Sequence, residues 1–164
     1  MFTAELKRRS THRGPRHSEA RSLLRRAIDT YVDGFQADWR DAYPGVNAVS
    51  LMEMQDKADP RQQQILPVVR YSATRKAQKN ADYWDYATLM ELAVLANDPD
   101  DAEVQLAEAI GMARASWELE STARNLGLIR SVRTARADDA GWIKILEDQL
   151  LDAAQRIAPA KQAT

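Results

Sequence analysis

From Ser18 to Ile157 the apolar residues recur three or four positions apart, and nowhere do they alternate as a half-buried strand would. That spacing constrains the chain more than any other feature: it can bury its apolar side only by packing helices, so the predicted fold class is all-α. Leu24, Ala27, Ile28, Tyr31, Val32 and Phe35 show the pattern in a first helix, for which Ser18 is the expected N-cap. Tyr43-Pro44-Gly45 reads as a turn, followed by a second helix over about 46–55. Asp59-Pro60 opens a third, which Pro67 is expected to kink or split. A fourth starts at Asp82 and stops at Asn97-Asp98-Pro99, and a fifth runs from Asp100 to about Arg114. Ser116 is the expected cap of a sixth, and Asp138-Asp139 opens a seventh that ends at Pro159.

Composition narrows the function. The 164 residues suit one domain. There is no Cys, and both His, His12 and His17, lie near the N-terminus, which removes most metal and acid–base sites. No phosphate-cradling glycine loop, nucleophile elbow or helical His pair is present, so the expectation is a non-catalytic protein without cofactor or metal. Asp98-Pro99-Asp100-Asp101 lacks the spaced oxygens of a calcium loop. The longest apolar run, around Leu92–Ala96, is far short of the ~20 residues of a membrane span, and a cytoplasmic location is expected. The net charge of −1 hides +6 over residues 1–26 and −7 over the rest. Residues 1–17 therefore read as a basic flexible arm, through which alone nucleic acid is a conceivable partner. Residues 18–158 read as the helical domain and 159–164 as a polar tail.

A repeat organises the helices. Tyr83 to Arg114 holds two helices on a short turn, close to the ~34-residue tetratricopeptide period. With Ala102 as the anchor of its second helix, Tyr86, Leu89, Ala93, Leu106 and Ala109 fall on packing positions. One period back and one forward give the full order: a leading helix (18–37), pairs at 46–79 and 82–115, and a final pair at 117–157. This is a tetratricopeptide-like α-solenoid of about seven helices.

Several runs then resemble one tetratricopeptide subgroup in order: Gly34-Phe35-Gln36-Ala37-Asp38 with Asp41-Ala42-Tyr43-Pro44-Gly45-Val46-Asn47-Ala48; Leu66-Pro67-Val68-Val69-Arg70; Asp82-Tyr83-Trp84-Asp85-Tyr86-Ala87-Thr88; Leu95-Ala96-Asn97-Asp98-Pro99; and Trp117-Glu118-Leu119-Glu120-Ser121-Thr122-Ala123-Arg124-Asn125-Leu126. The chain resembles the tetratricopeptide repeat-sensor family. That family includes the central regulatory, TRAF-binding region of apoptosis signal-regulating MAP kinase kinase kinases and bacterial relatives from conflict systems. The resemblance implies a sensor or scaffold that passes a binding event to an effector or partner protein.

In such arrays the first helix of each pair lines a concave groove. The candidate ligand-binding residues there are Asn47; Trp84, Asp85 and Thr88; and Ser121, Thr122, Arg124 and Asn125, with Arg70 reaching in if Pro67 bends its helix. Arg offers a fork of donors for phosphate or carboxylate, Asn reads an amide or base edge, and Trp stacks on a ring. Each also has a plainer use: Asn47 as a helix cap, Trp84 as core, and Arg70 and Arg124 as ion-pair partners of Asp85, Glu91 or Glu120. The leading expectation is a bacterial signalling or defence module binding an anionic, nucleotide-derived ligand. The alternative is a scaffold that takes a protein or peptide partner.

Overall fold

A computed structural model of the chain describes residues 15–157, and all regular structure among them is helical. The seven helices are α1 (Pro15–Ala37), α2 (Ala42–Glu53), α3 (Pro60–Asn80), α4 (Tyr83–Leu95), α5 (Pro99–Met112), α6 (Ser116–Ala135) and α7 (Gly141–Ile157). The expected all-α helical-repeat fold is present. The expected basic arm lies outside the described residues except for its last three, which begin α1.

Four consecutive helices start on an aspartate. The Asp41 side chain accepts from Tyr43 N, Asp59 from Arg61 N, Asp82 from Asp85 N and Asp98 from Asp101 N. Each satisfies a backbone donor that the first turn leaves unpaired. At α4 the cap is reciprocal, because Asp85 also accepts from Asp82 N. These caps move some boundaries from their expected places. α2 begins at Ala42, so Tyr43-Pro44-Gly45 is its first turn rather than a break; proline there forfeits no helical hydrogen bond. α1 starts at Pro15, leaving Ser18 inside the helix. α6 is preceded by Ala115 and fixed by Glu118, whose carboxylate accepts from Arg114 N and Ala115 N, not by a Ser116 cap. α7 begins at Gly141, after the Asp138-Asp139 pair. α3 passes through Pro67 as one helix; Pro67 and Gln63 are both exposed, so the carbonyl that loses its partner faces water.

Two helix ends close in the same way. Asn97 after α4 (φ 56) and Ala137 after α6 (φ 62) adopt the left-handed conformation. Asp98 N donates to Ala93 O, and Asp138 N to Arg133 O, completing Schellman caps.

The core is a band of Leu, Ile, Val, Met and Ala that runs through α2–α7 and includes Val49, Val69, Met90, Leu92, Leu126, Ile143 and Leu150. A smaller cluster of Ile28, Val32, Ala48 and Met52 joins α1 to α2. Gly45 marks the tightest approach: a Cβ there would meet Val69 Cγ2 at 2.6 Å and Phe35 Cδ2 at 2.8 Å. The invasive turn Pro44-Gly45 thus lets α1, α2 and α3 converge.

Candidate functional site

Three contacts align α2, α4 and α6 side by side, all running the same way. At their N-terminal ends Trp84 of α4 meets Trp117 of α6, ring centroids 5.7 Å apart. In the middle, Ser50 of α2 donates to Glu91 of α4. At the C-terminal ends Arg133 of α6 donates to Glu53 of α2 and to the Leu95 carbonyl of α4. These are the three helices to which the sequence pattern assigns the groove.

The alignment puts like with like. The second residue of each helix is aromatic and exposed: Tyr43 at 67%, Trp84 at 42% and Trp117 at 57%. One turn on come Asn47, Thr88 and Ser121, all half-buried. Another turn on come Ser50, Glu91 and Arg124. On α4, exposure falls along this stripe from Trp84, through half-buried Thr88 and Glu91, to buried Leu95. Tyr83 stands edge-on to Trp84, with centroids 5.0 Å apart. Trp84 is thereby braced on both sides, a rigid apolar surface with little rotamer freedom left to lose on binding.

The sequence-derived candidates divide into those held by the fold and those left available. Asn47 lies inside α2 and donates to Tyr43 O at 2.8 Å. Asp85 is buried; besides capping α4 it pairs with Lys76 Nζ at 2.9 Å, which raises the lysine above its ordinary value. Thr122 is buried, 2.6 Å from the Tyr83 hydroxyl, and so ties α6 to α4. Burial pushes the Tyr83 phenol up, against the Thr122 hydrogen bond. Arg70 turns to the start of α5, bridging Asp98 at 3.5 Å and Asp101 at 2.6 Å. The structure therefore brings Asn47, Trp84 and Thr88 onto one face, keeps Arg70 at the α4–α5 turn, and leaves Arg124 and Asn125 exposed on α6.

Sequence reasoning passed over four residues of this region. Tyr43 is hidden by its reading as a turn, and Trp117 enters the sequence reading only as part of a family-like run, not as a groove position. Glu91 and Ser50 give no signal until α2 and α4 are set side by side. Burial pushes the Glu91 carboxyl above its ordinary value, and only the Ser50 hydroxyl opposes that.

A second polar cluster closes the other end. Glu53 is 2% exposed. It accepts from Arg133 Nε at 2.9 Å, from Gln62 Nε2 at 2.9 Å and from Arg136 Nη2. Arg136 also donates to Glu53 O at 3.0 Å. Burial would raise the Glu53 carboxyl, but the hydrogen bonds and charges of Arg133, Gln62 and Arg136 hold it below its usual value. A cavity of about 300 Å³ lies beside the cluster. A larger one, about 640 Å³, lies between α1 and the α2–α3 connection, and none of the sequence-derived candidates lines it.

Residues 14–145, well over half of the chain, match the family model of the MAP3K TRAFs-binding domain. No curated protein and no solved structure matches the chain.

Proposed function

The chain belongs to the MAP3K TRAFs-binding domain family, and we propose that it is a non-catalytic interaction module whose concave face takes a segment of a partner protein. The observation that carries this reading is the exposed, contacting pair Trp84 and Trp117, with exposed Tyr43 at the equivalent second position of α2. Large braced aromatics supply most of the energy of protein interfaces, and a row of them fits an apolar side chain of a bound segment. The family's description names TRAF proteins as partners; what we carry to this chain is the class, a protein. The tetratricopeptide register and a sensor role in a bacterial signalling system, both implied by the sequence resemblance, belong to the same proposal.

The nucleotide-sensing reading rests on a different observation: Arg124 and Asn125 are exposed beside the aromatic row. It is the weaker reading, since Arg70 is engaged by Asp98 and Asp101, and Thr122 by Tyr83. One fork of donors then remains for a phosphate.

Selection of random 12-residue peptides on the full chain tests the proposal. Peptides enriched on the wild type are expected to lose at least tenfold in affinity on the Trp84→Ala/Trp117→Ala variant. Calorimetric titration with a panel of nucleotides is expected to give no heat. Selected peptides that bind the double variant equally well, or a nucleotide whose binding is abolished by Arg124→Ala, would refute it.

A further inference from the structure

Each of the three buried carboxylates among the described residues is paired with a cation. Glu53 is held by Arg133 and Arg136, Asp85 by Lys76, and Glu147 by Arg130 at 2.6 Å. Glu91 is half-buried on the stripe that begins at Trp84; burial pushes its carboxyl up, and among the described residues only the Ser50 hydroxyl bonds to it. Ser50 faces it from α2, Trp84 and Thr88 share its stripe on α4, and Arg124 holds the equivalent register position of α6. Arg124 is exposed and forms no ion pair with it among the described residues. A carboxylate withdrawn from water without a counter-charge is costly to the free protein. Such a cost is typical of groups kept for a ligand.

We propose that Glu91 is the specificity-determining residue of the docking face, and that the partner segment carries a lysine or arginine whose charged end reaches its carboxylate. This rests on the reading of the face as a protein-docking surface and adds the chemistry of the partner. Glu91 lies seven residues beyond Trp84, about 10 Å along the helix axis at the ~1.5 Å rise per residue. An apolar side chain seated on the aromatic row therefore leaves a basic side chain from the same segment within reach of Glu91. The cation would supply what Arg133, Lys76 and Arg130 supply to the other three carboxylates. The face would reject segments that place an acidic residue there, because like charges meeting in a desolvated site repel.

The same 12-residue peptide selection decides this, extended by a double-substitution cycle. Enriched peptides are expected to share one basic position. Replacing its arginine by citrulline, or its lysine by norleucine, should cost at least tenfold on the wild type and nothing further on Glu91→Gln. Glu91→Gln keeps an acceptor for Ser50, and its thermal melt reports whether it folds. Should it not fold, Ser50→Ala, which leaves the carboxylate in place, is expected to keep the preference for the basic residue. On the wild type, affinity should rise as pH is raised through the Glu91 titration, since the cation favours the ionised form. Ser50, the one side chain bonded to Glu91 among the described residues, carries no charge. Peptides that need Trp84 and Trp117 yet share no basic position, or whose basic residue matters equally on Glu91→Gln, would overturn the inference while leaving the docking surface intact. Absence of any peptide dependent on the two tryptophans would remove both.

Discussion

Ala137 holds a left-handed backbone conformation that costs an L-residue with a Cβ roughly 1 kcal/mol, because the Schellman cap of α6 requires it. Ala137→Gly is expected to stabilise the protein by about that much, visible as a Tm higher by roughly 2–4 °C. Gly45 predicts the opposite sign. Alanine is the better helix former, yet its Cβ would overlap Val69 and Phe35. Gly45→Ala should cost roughly 1–3 kcal/mol in chemical denaturation, as overpacking does. Glu91 makes a third residue-scale prediction. Its carboxyl is raised in the folded state, so the native form binds its proton more tightly than the unfolded chain does, and stability falls as pH rises through that window. Glu91→Gln should therefore be at least as stable as wild type near neutral pH, with the difference closing below the ordinary carboxylate range.

At the scale of elements, the Glu53 cluster is what ties the C-terminal ends of α2, α4 and α6 together, across about 80 positions of sequence. Removing the carboxylate leaves the buried Arg133 guanidinium without a counter-charge, while Arg136 keeps only Asp138. Glu53→Ala is expected to cost roughly 3–5 kcal/mol in urea unfolding. Because the Glu53 carboxyl is lowered in the fold, its contribution is present at neutral pH and is lost as pH falls through that lowered value. Most helices were legible from apolar spacing and from Asp and Pro, since both act locally. The start of α2 was not: Pro44-Gly45 is the commonest of turn signals, and only the three-helix contact at Gly45 shows why it lies inside a helix. Arg70 is expected from the sequence to pair with Asp85, Glu91 or Glu120, but its actual partners, Asp98 and Asp101, are fixed by how α3 lies against the α4–α5 turn.

At the scale of the whole molecule, the seven-helix all-α order could be read from the sequence because the apolar spacing and the breaks between helices recur along it. Of the docking face proposed above, the sequence names only part: Asn47, Trp84 and Thr88 follow from the groove positions of the expected repeat register. Tyr43 and Trp117 complete the row only once the true helix starts are known, since one misplaced boundary shifts a residue to another face. The four tryptophans offer a direct reading of this face. Trp84 and Trp117 lie on it, while exposed Trp39 sits in the α1–α2 turn and half-buried Trp142 on α7. In a ¹⁵N-labelled chain each gives one indole N–H signal. Titration with a selected peptide is predicted to move the Trp84 and Trp117 signals and leave Trp39 and Trp142 in place; movement confined to Trp39 or Trp142 would contradict the account.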